Sequence, residues 1–121
     1  MSTVNTYLAI FLGGKTSPQM LAWNALSETE RRAKGREGMN AWKEWADKYQ
    51  AAIVGMGGPL GATKQVTKSG IEDIANDLGA YMVVRAESHD AAAKLFENHP
   101  HFMIFPGERV EVMPVLPIPG D

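Results

Sequence analysis

Residues 7–12 read Tyr-Leu-Ala-Ile-Phe-Leu and run directly into Gly13-Gly14. A short apolar run closed by glycines has the length and composition of a β-strand. Side chains alternate across a strand, and this one is apolar at both parities, so neither of its faces should meet bulk water. A second run repeats the pattern: Tyr81 and Val83 fall on one side, Met82 and Val84 on the other. A sheet built from these two strands has to be covered twice.

The cover for one face is legible in the helical segments. Ser17-Pro18 is a helix start, with serine as cap and proline at the first helical position, and that helix carries Met20, Leu21 and Trp23 before breaking near Asn24. Ser27-Glu-Thr-Glu30 has the capping-box spacing and opens a second helix that runs to about Gln50. Met39, Trp42, Trp45, Ala46 and Tyr49 form its buried stripe, and Gly35 and Gly38 weaken its middle. Ser88 caps a third helix through Ala91, Ala92, Leu95 and Phe96, with Asp90 placed to suit the dipole.

Strands account for most of the rest. Residues 51–55 read as a strand leading into a glycine-rich turn over residues 55–61, and residues 80–86 and 109–115 are further strands. Residues 62–67 and 71–74 fit a hairpin around Lys68-Ser69-Gly70, with a helical turn over residues 71–76 as the alternative. The order strand, helix, strand, strand, helix, strand is the split βαβ arrangement. The expected fold is therefore α+β: a ferredoxin-like antiparallel sheet with helices on one face. The uncovered face calls for a second copy of the chain, a homodimer through the open sheet face that closes a dimeric α+β barrel. Residues 1–121 are expected to form one domain, with a core over about residues 5–117 and an irregular tail at 116–121.

Composition excludes several function classes. The 121 residues carry a formal net charge of -2 and no interleaving of aromatic with basic residues, so nucleic acid is not an expected partner. The basic run at residues 31–36 sits among Glu28, Glu30 and Glu37 and reads as a solvated, salt-bridged helix face. The absence of cysteine removes disulfides, thiolate metal sites and a cysteine nucleophile. No signal peptide and no membrane-length apolar run are visible, which makes a cytoplasmic protein without membrane contact the expectation.

Cofactor motifs fail in the same way. Gly55 and Gly57 start a G-x-G-x-x-G pattern, but its third position is Leu60 and Pro59 interrupts it. A tight turn is the better reading, and no cofactor is expected. His99-Pro100-His101 leaves three readings open. Pro100 ends the preceding helix, which makes a plain capping corner. An extended H-x-H would point both imidazoles one way toward a metal, but no third ligand stands at a suitable spacing, so none is expected. A single imidazole also serves as a general acid or base near neutral pH. His89, in the first turn of the third helix, is expected to be solvated.

Several of these motifs, taken in order, resemble the YCII-related (DGPF-type) family. They are Tyr7-Leu-Ala-Ile-Phe11, Gly58-Pro-Leu-Gly61, the run from Gly79 through Ser88, His99-Pro100, and Val110-Glu-Val-Met-Pro114. The resemblance covers about residues 5–117. It implies a dimeric α+β barrel with a small-molecule pocket between helices and sheet. It also implies, in some members, a catalytic histidine–aspartate pair, and the family includes a dehydrochlorinase. The matching histidine is His99. The aligned aspartate is replaced by Gly57, which leaves Asp73 or Asp77 as the candidate acid.

The implied enzyme is of lyase or isomerase type on a small cyclic organic molecule. His99 is its acid/base with Asp73 as partner, Tyr81 and Lys64 make polar contacts, and Trp42, Met56, Phe102 or Met82 line the pocket with His101 as an accessory. A non-catalytic ligand-binding module and a pure dimerisation module are the alternatives.

Overall fold

The run at residues 7–12 forms the middle of β1 (Asn5–Leu12), an inner strand of a four-stranded antiparallel sheet. The computed structural model describes residues 5–119. Strand order is β2-β5-β1-β6, with β2 (Ile53–Pro59), β5 (Leu78–Ala86) and β6 (Arg109–Pro114). The register puts Ala9 opposite Met82 and Val112, and Leu8 opposite Val83 and Met113.

That register sorts the two parities. Tyr7, Ala9, Phe11, Met82 and Val84 face the helices and are buried with Trp45, Ala92 and Phe96. Leu8, Ile10 and Val83 face the other way and are half-buried, next to the exposed Tyr81 and Met113. The helices thus lie on one face of the sheet, and the outer face keeps an apolar centre.

Helix starts follow local chemistry. Ser17 caps α1 (Pro18–Ala25), accepting from the Met20 N–H at 3.1 Å. Ser27 and Glu30 complete the reciprocal capping box of α2 (Glu28–Lys48). Trp45 faces the core and donates its indole N–H to the Leu95 carbonyl at 2.7 Å, tying α2 to the end of α3 (His89–Lys94). Gly38 is buried for a packing reason: a Cβ there would stand 2.5 Å from the Phe105 ring. The basic run is solvated as expected, with Arg32 bridging Glu28 at 2.7 Å.

Three expectations are corrected. The glycine-rich stretch is not a turn: β2 continues through it to Pro59, with register shifts against β5 and Gly57 at φ +62°. Met39 is not in the buried stripe but 53% exposed. Residues 99–101 are not extended throughout, because Pro100 starts a one-turn helix, α4 (Pro100–Met103). The uncertain segment is the hairpin: β3 (Thr63–Thr67) and β4 (Gly70–Ile74) form a separate two-stranded sheet turning at Gly70, φ +118°. Polar cross-strand pairs hold its register, Lys64 with Asp73 at 2.7 Å and Gln65 with Glu72 at 2.8 Å.

Candidate functional site

The chain reverses after α3 at Asn98, which takes the left-handed conformation at φ 58°. His99 is then extended (φ −66°, ψ 142°), as a residue before proline prefers, and it caps α4. Its Nδ1 accepts the His101 backbone N–H at 3.0 Å. This turns the ring inward, where it is fully buried.

The surroundings of that ring are aromatic. Trp42 meets it edge to face at 4.5 Å and 90°, Trp45 at 4.7 Å and 71°, and Phe11 lies 5.2 Å away. Because Nδ1 is an acceptor, the neutral ring carries its proton on Nε2, and Nε2 has no hydrogen-bond partner among the described residues. An indole face gives such an N–H only weak compensation. Burial, with a smaller contribution from His101, pushes the His99 imidazole down to about 4. Protonation would strand a charge among rings and forfeit the Nδ1 acceptor, so the ring is neutral at physiological pH.

His101 has a separate structural task. Its Nε2 lies 2.9 Å from the Leu12 carbonyl, and its ring lies on Gly107, where a Cβ would come within 2.2 Å. Burial lowers its pKa, against hydrogen bonds at the Leu12 and Arg109 backbone. The two imidazoles thus have different partners, and no cluster of three metal-ligating side chains exists among the described residues. His89 is exposed yet not free: it stacks on Tyr7 at 5.5 Å, and its Nε2 meets the Val112 carbonyl at 2.7 Å.

The main cavity, about 550 Å³, opens between α2 and the β2–β5 side of the sheet. Helix α2 contributes Met39, Trp42, Lys43 and Ala46. Strand β2 contributes Met56 and a glycine wall at Gly57-Gly58, and Phe11, Met82 and Phe105 close the interior. Gly57 is required where it is, because a Cβ there would stand 2.0 Å from the Tyr81 carbonyl oxygen, in a backbone conformation that side chains disfavour. The two strands approach closely, and the wall stays bare.

The expected site residues divide. Trp42, Met56 and Tyr81 all border this cavity, as does Met82. Phe102 borders a different cavity of about 390 Å³, with Phe96, Val110 and Val112. Lys64 and Asp73 pair with each other on the exposed hairpin. His99 does not line the main cavity; it stands behind Trp42, in contact with that wall. The His99–Asp73 hydrogen bond is not made within the chain.

Met39, Lys43, Phe105 and Gly58 are among the cavity residues that escape a reading of the sequence. Met39 and Lys43 do stand one helical turn apart beside Trp42 and Ala46, a signal that existed. Phe105 arrives by a loop, and nothing local in the sequence announces it. Chemically, the arrangement accepts an apolar ring between aromatic and methionine side chains. It presents no carboxylate among the described residues.

No protein-family model matches the chain, and no curated protein sequence matches it. Among solved structures, it is similar to 5-chloro-2-hydroxyhydroquinone dehydrochlorinase (TftG) from Burkholderia phenoliruptrix AC1100, determined in complex with 2,5-dihydroxybenzoquinone. The TM-score is 0.50 at 19% identity, over 88% of this chain and 89% of that chain. At that identity the likeness is one of fold: an antiparallel sheet with helices in ferredoxin-like order. No helix among the described residues is long and apolar enough to cross a membrane.

Proposed function

We propose that this chain is a small-molecule-binding protein of the YCII-related type, working as a dimeric α+β barrel with the main cavity as its ligand site. The observation that carries the reading is the cavity itself, about 550 Å³ between α2 and the sheet. Ligand sites are commonly apolar clefts of about 300–1,000 Å³ with few polar groups. A solved structure of similar fold is that of an enzyme with a small ring compound bound, which agrees with a ring-binding site here.

The dimer is supported by the outer sheet face, where Leu8, Ile10 and Val83 are only half-buried and Val54, Tyr81 and Met113 are exposed. A contiguous apolar sheet face needs a cover, and a second copy offers the same surface in return. Sedimentation of Val83→Asp should then show a monomer where the parent shows a dimer.

The cavity is tested with the neutral fluorophore N-phenyl-1-naphthylamine. Its emission should rise on mixing with the protein, and Ala46→Trp or Met56→Trp, which fill the cavity from opposite walls, should abolish the rise while leaving the circular dichroism spectrum unchanged. An unchanged signal in both variants would remove the cavity as the site.

A second reading, lyase-type chemistry with His99 as acid/base and Asp73 as its partner, is favoured by one feature. His99 Nε2 is unpartnered, and the His99 ring packs against Trp42 of the cavity wall. It requires a contact with Asp73 that the single chain does not make, and a movement of Trp42 that opens the ring to substrate.

A further inference from the structure

The walls of the main cavity are apolar, and one residue of α2 that contributes to them, Lys43, carries a charge. Lys43 is the one charged residue lining the cavity among the described residues, and its side chain is exposed. It forms no salt bridge and no side-chain hydrogen bond among those residues. The position one turn before Lys43 on α2 is the apolar Met39. Asp47 stands one turn after Lys43, the less favourable order, and does not pair with it.

A lysine in this position lays its alkyl stem along apolar surface and keeps its ammonium in water. The result is a pocket with an aromatic interior at Trp42 and Phe105, three adaptable methionines and, among the described residues, one lysine in its lining. We propose that the ligand of this cavity is a ring-containing organic carboxylate, its ring seated against Trp42 and Phe105 and its carboxylate held at the Lys43 ammonium. No carboxylate among the described residues lines the site to repel such an anion. The carboxylate stays at the solvated border, so it is not stripped of water on binding, and the apolar ring alone enters the interior.

This inference rests on the cavity being the ligand site, and a matched pair of probes separates the two. 2-Naphthoate and 2-naphthalenemethanol share one ring system and differ in charge. Each is titrated against bound N-phenyl-1-naphthylamine with the parent protein, Lys43→Met and Lys43→Arg. The expected result is naphthoate binding about fivefold tighter than the alcohol, the size of one partly solvated ion pair. That preference should vanish in Lys43→Met and persist in Lys43→Arg. Equal affinities in the parent would overturn the carboxylate assignment while leaving the cavity as a neutral-ligand site. A preference that survives Lys43→Met would overturn the role of Lys43. Displacement by neither probe would overturn the inference and count against the cavity reading as well.

Discussion

Lowering the pH should destabilise this protein in a window set by His99. In the native state the imidazole sits well below its ordinary value, at about 4, because burial denies the charged form its water. The unfolded chain exposes the same ring at an ordinary 6.5. As pH falls below about 6.5 the unfolded state takes the proton first, and stability declines. The decline continues until about pH 4, where the native ring is protonated too and His99 adds no further loss. The full difference amounts to about 3 kcal/mol at about 1.4 kcal/mol per unit, and roughly 2 kcal/mol of it should be lost by about pH 5.

A small domain is stable by only about 5–15 kcal/mol, so this loss is readily measured. The control is His99→Asn, which keeps an acceptor for the His101 N–H but cannot titrate. Urea unfolding at several pH values should show the parent more stable at about pH 7.5, with the gap closing by roughly 2 kcal/mol at about pH 5. Parallel curves for the two proteins would refute the assignment. So would a His99 ring resonance titrating near 6.5 in the native state. If His99 also acts as a base in turnover, the acid limb of kcat/KM should fall near pH 4.

Two glycines offer further tests, both read by urea unfolding. Gly57→Ala should cost at least about 2 kcal/mol, since φ is +62° and the added methyl meets the Tyr81 carbonyl; a neutral result would show that β2 can back away from β5. At Gly38 two effects compete. Alanine is the better helix former by about 1 kcal/mol, but its methyl would stand 2.5 Å from the Phe105 ring, and overpacking costs about 1–3 kcal/mol. Gly38→Ala should be destabilising and should weaken N-phenyl-1-naphthylamine binding by displacing a cavity wall, whereas a clear gain in stability would show that Phe105 moves freely.

Much of the architecture is a local matter, and the sequence determines it. Apolar residues at both parities of β1 and β5 require a sheet with two covers, and serine caps and a capping box place the starts of α1, α2 and α3. Trp42 and Met56 are expected in a pocket only through the family resemblance, and both border the main cavity. The hairpin was legible as one of two options, and its polar cross-strand pairs decide it.

Only the tertiary structure decides the rest. Whether Gly55 through Gly58 turns or continues as a strand depends on β5 lying close enough to accept it. Phe102 and Trp42 line different cavities, and nothing in their spacing could say so. His99 looks catalytic as a residue type and as a motif, yet its protonation follows from four aromatic rings drawn from β1, α2 and the end of α3. Desolvation is a property of everything packed around a group, and no neighbour in the chain carries that information. Lys43 is the converse: an ordinary surface lysine in the sequence, made distinctive by the apolar opening that the fold assembles beside it.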